Sequence, residues 1–144
     1  MNYAKYMPTD SRRLAQSVSK VSRRLRQERQ SDLSAGQLSV MAAIVQLRQS
    51  TPSQLAVAEK VSGPAMTRTL NCLEKTGYIA RFPHPTDGRQ VLIEVSPAGR
   101  EALADERQRR DAWLDARLKT LSSDDRATLR NAIKILDQLI EDEA

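Results

Sequence analysis

Apolar residues recur at helical spacing over most of this chain, and the period shortens to two in only one region. Leu14, Val18, Val21 and Leu25 mark a first helix over 10–30, with a narrow apolar seam. Leu38, Met41, Ala42, Ile44, Val45 and Leu47 cover more than one face of a second helix, which makes it central. Ser34 and Gln37 ahead of them have the spacing of a capping box, in which each side chain bonds the other residue's free N–H. Thr51-Pro52-Ser53-Gln54 repeats the box, with Pro52 at the first helical position, where its missing N–H costs nothing. Leu55, Ala56 and Val61 form the buried side expected of this short third helix.

A turn at 61–64 leads to a fourth helix over 62–76. With Met66 set at zero and 100° per residue, Leu70 and Leu73 fall within about 40° of it, flanked by Thr69. Around the opposite pole lie Pro64, Arg68, Asn71 and Lys75, with Thr67 beside them. One face is therefore apolar, and the other is polar, basic and able to hydrogen-bond to base edges. Gly77 stands where a helix C-terminus needs a left-handed residue. Two strands follow, over 78–82 and 91–95, around a turn-rich loop with two prolines and a glycine. Ser96-Pro97 then opens a long charged helix reaching about residue 121. Ser122 and Asp125 cap a last one, whose seam is Leu129, Ile133, Leu136 and Ile140.

Composition narrows the function. The chain has 144 residues, 40% hydrophobic and 28% charged, which suits one folded domain rather than a disordered tail. A formal net charge of +5 favours a polyanionic partner. One cysteine excludes an internal disulfide framework and fits a reducing compartment. The first residues, MNYAKYMPTDSRR, hold no apolar signal region, and no run of 18 apolar residues occurs, so a cytoplasmic protein without membrane contact is expected.

Chemistry-bearing residues are few. His84 is the only histidine, and pairing it with Cys72 leaves a zinc site two ligands short. No catalytic group, metal site or cofactor is expected. His84 reads as an exposed loop residue near phosphate, Cys72 as a small half-buried packing residue and Trp113 as packing. A redox role for Cys72 stays open. The acidic pairs Asp124-Asp125 and Glu141-Asp142-Glu143 are a helix start and a solvated tail. The aromatics Tyr3, Tyr6, Tyr78, Phe82 and Trp113 are scattered and make no stacking platform for RNA or single strands.

Two helices joined by a tight turn, then a hairpin, describe a winged helix-turn-helix, whose second helix enters the major groove. The fold class expected is mainly α with a small β-hairpin wing and flanking dimerisation helices. Arg89 at the wing tip suits a narrow, electronegative minor groove, with Asp87 close enough to hold its aim. Asn71 can bond adenine through two atoms and Arg68 guanine. The DNA-contacting set is therefore Ser62, Pro64, Thr67, Arg68, Asn71, Lys75, Asp87 and Arg89.

The stretches LSAGQLSVMAAI, TPSQLA and SGPAMTRTLNCLEKTGYIARFPHPTDGRQVLIEVSPAG resemble the MarR family of transcription regulators. That resemblance implies a homodimer formed by residues 1–33 and 97–144, and a DNA-binding domain over 34–96. It also implies an inverted-repeat operator in double-stranded DNA, and mostly repressors, often released by a small phenolic or aromatic anion. The ligand's identity stays unknown. The competing reading is an architectural DNA binder, or a protein-interaction winged helix, without ligand response. The residues support the dimer independently: the seams of the first and last two helices are longer than the central unit can cover, and a palindrome demands two-fold symmetry.

Overall fold

The computed structural model describes residues 9–141. Tyr3 and Tyr6 at one end, and Asp142 and Glu143 at the other, lie outside the described residues. Among those described, the helices and strands run α1 (Asp10–Gln27), α2 (Ala35–Leu47), α3 (Pro52–Ala58), α4 (Gly63–Lys75), β1 (Ile79–Pro83), β2 (Val91–Val95), α5 (Pro97–Leu118) and α6 (Ser123–Glu141). The chain is thus mainly helical, and α3, a turn, α4 and an antiparallel hairpin follow in the expected order.

Local capping chemistry sets the helix starts. The Ser34–Gln37 box closes with bonds of 3.1 and 2.9 Å, and the Thr51–Gln54 box with bonds of 3.2 and 2.9 Å. Ser62, Ser96 and Ser122 each accept a backbone N–H three residues on, at 3.2, 3.1 and 3.1 Å. Both α3 and α4 leave through a left-handed residue, Lys60 at φ 54° and Gly77 at φ 82°. The N–H of Val61 returns to the Ala56 carbonyl at 3.0 Å, and that of Tyr78 to Leu73 at 2.9 Å. The first of these turns corrects an expectation: it carries Val61 outward, 43% exposed, instead of into the core.

The core lies in the middle of the chain. Val40, Met41 and Ile44 of α2 meet Leu55 of α3 and the Met66, Leu70 and Leu73 stripe of α4. Leu33, Ile79, Ile93 and Val95 close the cluster. In the hairpin Ile79 pairs with Val95 and Pro83 with Val91, so β1 begins one residue later than its sequence suggests. Tyr78 is drawn into the exit of α4, and Pro83, lacking an N–H, takes the outer end of the strand. Ser50 adds an antiparallel bridge to Ile93, whose N–H donates to the Ser50 carbonyl at 2.8 Å. Nothing in the periodicity announced that third partner.

Helix α5 is bound to the hairpin's base. Ser96 donates its N–H to the Tyr78 carbonyl at 2.9 Å and its hydroxyl to the Gly77 carbonyl at 2.6 Å. Gly99 is buried there, and a Cβ on it would run into the Tyr78 carbonyl and the Val95 side chain. The helix stops at Leu118 rather than near 121, because Thr120 turns its hydroxyl onto the Arg117 carbonyl at 2.6 Å. Helix α1 ends at Gln27 rather than 30; Glu28 caps it, and the chain must then turn to bring Leu33 into the core. Neither α1 nor α6 buries any residue.

Candidate nucleic-acid interface

Helix α4 presents the face its sequence predicts. Met66, Leu70 and Leu73 are buried, while Pro64, Thr67, Arg68, Asn71 and Lys75 are exposed on the other side. Arg68 and Lys75 make no ion pair among the described residues, so two cations stand on this face without a partner carboxylate. Two hydroxyls are already engaged. Ser62 caps the helix, and Thr67 donates to the Gly63 carbonyl at 3.0 Å.

The wing loop is built around His84. Its Nδ1 accepts the N–H of Thr86 at 3.2 Å and that of Asp87 at 3.0 Å. The His84 N–H donates to the Gln90 carbonyl at 3.2 Å, and the Gln90 N–H to Asp87 at 3.1 Å. The expectation of an exposed loop histidine is therefore corrected: His84 is half-buried and organises the turn, because a short loop needs an acceptor for its free N–H groups. Asp87 does meet Arg89. One carboxylate oxygen accepts the Arg89 backbone N–H at 3.1 Å and its Nε at 3.3 Å. The Arg89 side chain is 92% exposed, so water weakens this pair and its effect is orientation rather than stability.

Three features escaped the sequence reading. Arg81 of β1 reaches back to α4, with Nε on Glu74 at 2.5 Å and Nη2 on the Oδ1 of Asn71 at 2.7 Å. Asn71 is thus not the free carboxamide expected from its place on the polar face. Cys72 is exposed, not half-buried, and its sulfur accepts a bond from Gln37 Nε2 at 3.3 Å. Glu106 of α5 is 9% exposed and joins α5 to the link between α1 and α2, accepting the Ser31 N–H at 3.2 Å and Arg109 Nη2 at 2.8 Å. Burial alone would raise its carboxyl; the Ser31 and Arg109 bonds outweigh that and hold it below its ordinary value. Trp113 is half-buried, with the Arg24 guanidinium of α1 at 4.5 Å from its ring centre and that of Arg117 in its own helix at 5.5 Å.

A cleft of about 340 Å³ lies between α1, α2 and α5. Leu25, Leu38 and Leu103 form apolar wall, and Arg26, Arg29, Arg107 and Arg110 bring positive charge. The Arg29 Nη1 atom is shielded from solvent and has no hydrogen-bond partner. Among the described residues no group of three or more His, Cys, Asp or Glu could hold a metal ion, and no helix is long and apolar enough to cross a membrane.

The model of the MarR family matches residues 33–91. An HTH-type transcriptional regulator of Mycobacterium leprae is 42% identical over 130 residues, covering 90% of this chain and 91% of its own. This chain belongs to the MarR family. The multiple antibiotic resistance protein MarR of Salmonella typhimurium is 35% identical over 104 residues, 72% of each chain. A solved structure of the multiple antibiotic resistance repressor MarR aligns with a TM-score of 0.77 at 28% identity, covering 90% of this chain and 96% of that one. Members of the MarR family are transcription regulators, not enzymes, and the hairpin after α4 is the wing of a DNA-binding winged-helix fold.

Proposed function

We propose that this MarR-family regulator is a cytoplasmic repressor that binds an inverted-repeat operator as a homodimer and leaves it when a small aromatic anion binds. In this reading residues 34–96 hold the DNA. Arg68, Asn71 and Lys75 face the major groove, Pro64 and Thr67 approach the backbone with the capped Ser62, and Arg89, aimed by Asp87, enters the minor groove. The observation that carries it is the polar face of α4, exposed along its length with Arg68 and Lys75 unpaired among the described residues. Phosphate contact by such cations supplies sequence-independent affinity, and base-edge contact supplies preference.

The flanks, 1–33 and 97–144, supply the dimer. Val18 and Val21 of α1 are both 50% exposed, and Ile133 and Ile140 of α6 are 49% and 72% exposed. Ile135 and Leu139 add to the α6 surface. Such uncovered apolar side chains support the reading of these helices as an interface. The cleft between α1, α2 and α5 suits the ligand class. Its volume is at the small end for ligand sites, its walls are partly apolar, and an unpartnered Arg29 nitrogen offers a carboxylate or phenolate a charged bond. It joins the flanks to α2, so a ligand there can shift how they sit together. Linkage is reciprocal: operator must weaken ligand binding by the same factor that ligand weakens operator binding.

The test is a salt series on a duplex selected from a random pool and on a scrambled one. Arg68→Ala should flatten preference at one position in each half-site and leave scrambled binding nearly unchanged. Arg89→Ala should weaken both duplexes alike and make the salt slope shallower by up to about one unit. Wild-type affinities and slopes for Arg89→Ala would remove the wing from the interface. A pool that yields no preferred sequence would favour an architectural binder.

A further inference from the structure

Arg81 is the third residue of β1, paired across the hairpin with Ile93, yet its guanidinium belongs to α4. Nε meets Glu74 Oε2 at 2.5 Å and Nη2 meets Asn71 Oδ1 at 2.7 Å. Asn71 and Glu74 are three residues apart on one helix face, so the guanidinium spans a single turn and is held at two atoms. A guanidinium carries five N–H donors and no acceptor. The carboxamide of Asn71 must therefore face it with oxygen, because the flipped amide would point N–H at N–H. Chemistry thus dictates which end of Asn71 is turned away from the hairpin, and it is the NH2 end.

A free asparagine offers a donor and an acceptor side by side, the pattern that matches N7 and N6 of adenine. Held by Arg81, Asn71 loses that pattern. One lone pair of Oδ1 is filled, and the other lies beside a cation that repels the hydrogens of an approaching amino group. What remains free on Asn71 is its donor end, the NH2. The purine edge that presents only acceptors in the major groove is guanine, through O6 and N7.

We propose that Arg81 sets the base preference of α4, making Asn71 a donor-only reader that takes guanine over adenine. This rests on the reading of α4 as the helix that enters the groove. Arg81 is a positioning residue in this arrangement and need not touch DNA itself. Glu74 holds the guanidinium in turn.

The experiment is selection of bound duplexes from a randomised pool, with wild type, Asn71→Ala, Arg81→Met and Arg81→Lys. Methionine keeps the aliphatic stem without its donors; lysine keeps one charged donor for Oδ1. Melting curves accompany each variant. Wild type should select guanine at one position of each half-site, and Asn71→Ala should lose that preference alone. Arg81→Met should move the same position toward adenine, changing the guanine-to-adenine ratio by roughly fivefold or more, while Arg81→Lys retains guanine. Wild type selecting adenine at the position that Asn71→Ala flattens overturns the proposal without use of any Arg81 variant. So does guanine kept by a folded Arg81→Met, and so does Asn71→Ala leaving every position unchanged. In these three cases α4 can still be the reading helix. If wild type selects no sequence at all, the operator-binding reading fails instead.

Discussion

The middle of the chain and its two ends use apolar side chains in opposite ways. Between Leu33 and Val95, Met41, Ile44, Leu55, Leu70, Leu73 and Ile93 are sealed from water by their own chain. Along α1 and α6, side chains of the same kind stay half open, and neither helix buries one residue. The central unit is therefore a finished core, while the apolar side chains of the flanks stay uncovered by their own chain. Close-packed interiors lose heavily when a buried group is removed, whereas an exposed one costs little until something covers it.

That contrast is open to direct test by urea unfolding at two well-separated protein concentrations. Leu70→Ala should cost about 2–5 kcal/mol and cost the same at both, since its partners lie in the same chain. Ile133→Ala should show its cost only in the concentration-dependent part of the stability. Equal, concentration-independent losses for the two would mean that the flanks are packed like the centre.

The two regions meet at few places, and Gly99 is one. Gly99→Ala would force a methyl group into the Tyr78 carbonyl, which is backbone and cannot swing aside. A loss of about 1–3 kcal/mol is expected. A melting temperature equal to wild type would show that α5 can ride off the hairpin without cost.

Glu106 is a tie within the flanks, joining α5 to the link between α1 and α2, and the mildest effect is expected there. Its folded carboxyl is held below the ordinary value of 4.5, so its contribution is complete above that value and is lost as pH falls through the lowered one. Glu106→Gln should cost about 1 kcal/mol at neutral pH and flatten the acid side of the stability profile. The check is the urea midpoint followed from about pH 7 down to about pH 3. A variant that keeps the wild-type acid slope would assign that slope to other carboxylates.

What the sequence made legible was local. Ser34 with Gln37, Thr51 with Gln54, and Ser96 and Ser122 all act three residues away, so spacing alone reveals them. The Met66, Leu70 and Leu73 stripe was legible for the same reason, being one face of one helix. The Asp87–Arg89 contact was too, across two residues of one loop. Missed were the contacts that folding brings together. Arg81 reaches Asn71 across a helix exit and a strand, Gln37 reaches Cys72 from another helix, and Glu106 meets Ser31 across 75 positions. Val61 was misplaced because a left-handed Lys60 turns the chain, and a lysine gives no such signal as glycine does at position 77. For the site, the polar face was readable from periodicity, but the state of its hydrogen-bonding atoms was not.

The joint at Gly99 also has a consequence of scale. Helix α5 has 22 residues, a rod of about 33 Å at 1.5 Å per residue, and its first turn is locked to the base of the wing. Wing and rod therefore swing as one lever. A tilt of about 5° at the joint displaces the far end by about 3 Å, close to the rise of about 3.4 Å between successive bases along a strand. In the proposed dimer two such levers are related by the two-fold axis, so the same tilt acts twice on the separation of the reading helices. On the proposed operator, a change too small to disturb the core would put both half-sites out of step by about a base pair.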